Sequence, residues 1–258
     1  MSLLSLNSSS TLFFNSFLSI EAVGPVAISM AAVKVGMVVV EAPKPDNVDM
    51  GYIANRVNRA KYFQLFCAEF GCNGLHVVLL SLKDFAAGGA SPNISGTFNH
   101  EAVFINLGVV KDKRHIRKII LHEFFHQVLS ISRIELPIWL NEGLAEYFSG
   151  QSLSYLSEGN PDVFRAKYFL ELQRLNSEHE LSIRKMTTQL LYEKPEHLIK
   201  FAYYHSQQLV KYLIGKYGLN RVFRFLKSMI GVPKRNWSSI FRAAFGVTEL
   251  EFEALFLK

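Results

Sequence analysis

His122, Glu123 and His126 sit in the stretch "LHEFFHQ" at residues 121–127. Two histidines four residues apart share one face of a helix, one turn from each other. From that spacing both imidazoles can reach a single metal ion, at zinc–nitrogen distances of about 2.0–2.1 Å. Glu123, beside the first histidine, then stands where it can take a proton from a water on that ion. So short a pattern also arises by chance, and two partly buried helix histidines are the competing reading.

A catalytic ion needs three protein ligands and one open position. Glu142 is the candidate third ligand, in "PIWLNEGLAEYFSG" at residues 137–150, with fifteen residues between it and His126. That gap is long enough to finish one helix, turn, and bring a second helix back against it. Glu146, one turn after Glu142, shares its face. It can accept the second ring N–H of His122 and so fix that ring's tautomer and orientation. Taken alone, Glu146 also reads as a surface acid.

The elements around these residues follow from local signals. Asp112 is a plausible N-cap for a helix running to about residue 130, while Pro137 and Gly150 bound the next one. Further helices are expected from Pro161, from Pro195 to Gly218, from Asn220 and over "NWSSIFRAAFG", with a capping box at Thr248–Glu251. Upstream, one strand is expected within "AAVKVGMVVVEAP". A helical run then passes through Ile53, Val57, Ala60, Phe63 and Phe66 to Gly71. Strands are expected over "LHVVLLSL" (75–82) and "EAVFINLG" (101–108), with a loop between them. The pattern predicts an α+β fold, with a small mixed sheet carrying a packed helix followed by a mostly helical half that holds the HExxH helix. It divides into a leader over 1–30, an α/β part over 31–110 and a helical part over 111–258.

With these residues in view, "HEFFHQ…WLNEGLAEYF" resembles the gluzincin zinc metallopeptidases, especially the peptidase MA-like domains related to the aminopeptidase N catalytic domain. The resemblance implies a zincin-like fold, one catalytic Zn²⁺ on His122, His126 and Glu142, and Glu123 as the general base. It implies a peptide or protein substrate. "FAYYHSQQLVKYLIGKYG" (201–218) resembles a second family helix, whose tyrosine donates to the oxyanion of the tetrahedral intermediate. Tyr203 matches that tyrosine and Ser206 the small position after it, with His205 as the alternative donor. The family's exopeptidase motif "GxMEN" has no match in "GTFNHEAVF" (96–104), which puts endopeptidase slightly ahead of aminopeptidase. The strand over residues 102–107 is expected to serve as an edge for an extended substrate. A zincin-like scaffold that holds metal but cleaves nothing is the alternative, and the intact Glu123 argues against it.

Composition adds bounds rather than a function. The 258 residues are 49% hydrophobic and 19% charged, enough apolar material for a substantial core. The formal charge of +6 reads as a solvated basic surface, as does "KDKRHIRK" (111–118), and no nucleic-acid motif accompanies either. His76, His100, His179 and His197 have no ligand-spaced partner. Two cysteines, Cys67 and Cys72, are too few for a cysteine zinc site, and their pairing stays open. The first thirty residues lack Lys and Arg, unlike a secretory or mitochondrial signal. As a leader they stay open as a signal, a membrane anchor or a disordered segment, and with them a cytoplasmic, exported or membrane-anchored location.

Overall fold

The computed structural model describes residues 31–42, 48–72, 74–110, 112–150, 170, 173–174 and 196–257. The leader and the helix expected from Pro161 lie outside the described residues. The architecture is α+β, with a five-stranded mixed sheet and a mostly helical C-terminal half. It forms two compact units. One takes the described part of Met1–Arg59 and of Asn73–Ile120; the other takes Ala60–Cys72 and the described part of Leu121–Lys258. The division therefore falls between Ile120 and Leu121 rather than at residue 110, and a short N-terminal segment groups with the helices.

In the first unit, β1 (Ala31–Val35) and β2 (Val38–Ala42) form an antiparallel hairpin where one strand was expected. Gly36 makes the turn at φ +58, and a Cβ there would fall 2.7 Å from the Asn58 side chain. β2 and β3 (Leu75–Leu80) pair in parallel, as do β3 and β5 (Val103–Asn106). A short β4 (Gly96–Phe98) adds antiparallel to β5, giving the order β1-β2-β3-β5-β4. β5 is thus an inner strand, not the edge that the sequence suggested. Its outer neighbour is only three residues long and reads as loop, because so short a segment carries no period-two signal. Helix α1 (Met50–Asn58) buries Ile53, Ala54 and Val57 and packs on β1 and β2, while α3 (Leu82–Ala87) lies against β3 and β5.

The helical run expected up to Gly71 is broken. α1 ends at Asn58 with Arg59 as its C-cap, and Ala60 turns extended, with ψ 123, before α2 (Lys61–Phe70) begins. The break lets the two helices serve different cores. Helix α4 (Lys113–Ile131) starts from Asp112, whose Oδ1 accepts from the His115 N–H at 2.8 Å.

The second unit continues with α5 (Ile138–Ser149), α6 (Glu196–Tyr217), α7 (Leu219–Ser228), α8 (Trp237–Phe245) and α9 (Glu249–Phe256). Two aromatic clusters hold it. Phe66 of α2 meets Phe125 of α4, Phe148 of α5 and Phe223 of α7 at centroid separations of 5.2, 4.7 and 5.2 Å. Trp139 of α5 meets Phe241 and Phe252, and its indole N–H donates to Glu249 at 2.8 Å. Truncating a ring buried as fully as Trp139 costs about 3–5 kcal/mol, so α5 is held firmly from both ends. Among the described residues, no helix is long and apolar enough to cross a membrane.

Candidate metal centre

Helices α4 and α5 bring His122, His126 and Glu142 together as one group able to hold a metal ion. The His122 and His126 Nε2 atoms are 3.1 Å apart. The Glu142 Oε2 lies 3.5 Å from the first and 3.4 Å from the second. Donors each about 2.0–2.1 Å from a tetrahedral zinc stand about 3.3–3.4 Å from one another, so the triangle has the right size. About a tenth of each side chain is exposed, 11% for His122 and Glu142 and 9% for His126. The group therefore borders solvent while being mostly desolvated.

The outer nitrogens show how a cation could be held between these three atoms. His126 Nδ1 is 3.2 Å from Asn141 Oδ1, an oxygen that can only accept, so Nδ1 carries the hydrogen and Nε2 its lone pair. His122 Nδ1 is 3.2 Å from Glu146 Oε1, which asks the same of the second ring, although the approach is not well aligned for a hydrogen bond. With both rings neutral, two ring lone pairs and a carboxylate would thus converge on one point. Only a proton or a metal ion relieves their repulsion.

The electrostatics agree. Burial alone would lower the His122 pKa, but Glu142, Glu146 and Glu123 outweigh it and hold the pKa well above its ordinary value. Burial alone would raise that of Glu142, yet His126 and His122 reverse this and keep the carboxylate ionised far into acid. Glu123 is driven upward, first by burial and then by Glu142 and Glu146, with His122 and His126 opposing.

Helix α6 supplies the wall beside α5. Ser206, Gln207 and Val210 form the stripe that faces it. A Cβ on Gly143 would fall 2.4 Å from the Ser206 carbonyl oxygen and 2.8 Å from Val210 Cγ2. The Gln207 amide donates to the Glu146 carbonyl at 3.1 Å. Tyr203, half-buried, lies one turn earlier on this stripe. His205 is turned to roughly the opposite side of the helix. Its ring stacks parallel to Phe201 at 6.2 Å and edge-on to Phe256 at 5.8 Å. Burial pushes its pKa down to about 4.

Three contributors escaped the sequence reading. Asn141, which orients His126, precedes Glu142 in "LNEG" and was readable only as a polar neighbour. Gly143 and Gln207 act through the α5–α6 approach, which no local pattern announces. Comparison with protein-family models and with curated proteins gave no match.

Proposed function

We propose that this protein is a zinc-dependent peptidase with a zincin-like catalytic unit, acting on peptide or protein substrates as an endopeptidase. The observation that carries the reading is the triangle of three lone-pair donors beside a half-buried glutamate, Glu123, that is not one of them. Zinc bound there would supply Lewis acidity, making an attacking water more acidic and polarising the scissile carbonyl. His122, His126 and Glu142 would hold the ion, and Asn141 and Glu146 keep the two rings turned with Nε2 inward. Glu123 takes a proton from the attacking water and returns it to the leaving amine. Tyr203 donates its phenol to the oxyanion, a role its position on the α5-facing stripe supports. His205, turned away among phenylalanines, is not needed.

The test is metal content together with cleavage of a mixed peptide library, for wild type and Glu123→Gln. Both proteins should carry one zinc per chain, and the variant should lose about 10²–10⁴-fold in cleavage. Zinc without cleavage by the wild type would replace the reading by a metal-holding scaffold. A wild type that binds no zinc would remove it altogether.

A further inference from the structure

Residues 219–247, which include α7 and α8, carry Arg221, Arg224, Lys227, Lys234, Arg235 and Arg242 and not one Asp or Glu. The formal net charge of the whole chain is +6, so this hairpin alone accounts for an excess of that size. Lys227 is engaged by Glu69 at 2.5 Å, and Arg242 acts on Glu251, whose carboxylate the Thr248 cap and then Arg242 keep below its usual range. Among the described residues no carboxylate pairs with Arg224, Lys234 or Arg235, and all three are exposed. An open groove of about 690 Å³ runs between the two helices, with Arg221, Arg224, Ser228 and Ser239 around an apolar floor of Phe225 and Ala243.

The tip of the hairpin is unlike an ordinary solvated turn. The Gly231 N–H donates to the Arg133 carbonyl at 3.1 Å and so joins it to the turn between α4 and α5. These joined turns expose two large aliphatic side chains, Ile131 at 58% and Ile230 at 51%. Arg133 sits at φ 53, a left-handed position that glycine fills at no steric cost. An arginine kept there beside two exposed isoleucines points to a use for its side chain rather than for its backbone.

We propose that the α7–α8 hairpin and the adjoining α4–α5 turn form a docking surface for an anionic phospholipid bilayer. Ile131 and Ile230 enter the boundary between headgroups and acyl chains, where aliphatic side chains leave water. Arg133, Arg224, Lys234 and Arg235 meet the lipid phosphates, with Glu135 the one acid in the joined turns. The chemistry favours lipid over a nucleic-acid strand. Strand binders offer aromatic faces for bases to stack on, whereas Phe223, Phe225, Trp237, Phe241 and Phe245 are all buried.

Co-sedimentation of the full chain with phosphatidylcholine vesicles, with and without phosphatidylserine, tests this. Wild type should bind the serine-containing vesicles and not the others, less tightly as salt is raised. The triple variant Arg224→Gln, Lys234→Gln, Arg235→Gln should weaken binding on the order of a hundredfold. Ile131→Ser with Ile230→Ser should weaken it by about tenfold or more. All five positions are exposed, and circular dichroism checks that both variants stay folded. Absence of binding to the anionic vesicles would overturn the proposal, and so would wild-type binding by both variants, which would move the contact to another part of the chain. Retention of a single-stranded RNA by wild type and its loss in the triple variant, with vesicle binding unchanged, would replace the lipid by nucleic acid.

Discussion

Among the described residues of the helical unit, two places bury a histidine, and they drive it in opposite directions. At the α4–α5 seam, His122 faces Glu142 and Glu146, and their carboxylates hold its pKa well above the ordinary value against the pull of burial. On the far side of α6, His205 lies against Phe201 and Phe256, and burial takes it down to about 4. The residue type is the same and both are buried, His205 the more fully. What differs, among the contacts described, is the carboxylates that face His122. Burial makes a histidine a packing residue, and only converging acceptors turn it into a seat for positive charge.

The largest effect should come from abolishing that difference at its source. Glu142→Ala removes the acceptor shared by both rings and leaves His122 nearer to the circumstances of His205. Loss of a residue that only orients a ligand typically costs 10–100-fold in metal affinity, so loss of the ligand itself should exceed about 100-fold. Competition with a chelator measures it. His205→Ala should leave the affinity unchanged, and an equal loss in both variants would erase the contrast.

Next comes the pH dependence of the packing histidine. With a pKa of about 4 folded against 6.5 in a free chain, the unfolded state takes up the proton first. Stability is therefore complete above pH 6.5 and falls as pH drops from 6.5 to about 4. At 1.36 kcal/mol per pKa unit the loss is about 3 kcal/mol. His205→Phe should remove that share of the acid sensitivity, so urea midpoints of variant and wild type converge or cross as pH is lowered. Running both in chelator keeps metal release out of the comparison. Parallel curves would show that His205 is better solvated than its surroundings suggest.

A smaller effect tests the wall between the two histidines. Gly143→Ala puts a methyl 2.4 Å from the Ser206 carbonyl, which is backbone and cannot swing aside. Such overpacking costs about 1–3 kcal/mol, readable as a lower melting temperature. If α6 only brushed α5, the melting temperature would not move.

How much of this could be read in advance follows the range of each signal. His122 and His126 at one helical turn, Pro137 and Gly150 bounding α5, and the Thr248–Glu251 capping box depend on neighbours within a few residues, and such spacing is visible in the chain. Glu142 was reachable because a second helix must return against the first within a short gap. The break at Ala60 was not, since Phe63 and Phe66 continue the helical period of Ile53 and Val57 while belonging to a different core. Nor was the inner place of β5, which depends on a three-residue neighbour, nor the position of Gly143 beneath Ser206, sixty-three residues later in the chain. Local chemistry announces the candidate ligands, and tertiary contact decides what holds them still.

Asn141 gives the finest form of the comparison. It has no charge to lend His126, so whatever it contributes must come through the bond from Nδ1 to its Oδ1 at 3.2 Å. Asn141→Leu keeps the volume and removes the acceptor. The ring is then free to flip or to carry its hydrogen on Nε2, and metal affinity should fall by about tenfold. Asn141→Asp keeps an acceptor at the same reach and should hold or exceed the wild-type affinity. If leucine and aspartate behave alike, packing alone positions His126. If only leucine fails, the acceptor on the outer nitrogen separates a ligand histidine from a buried one such as His205.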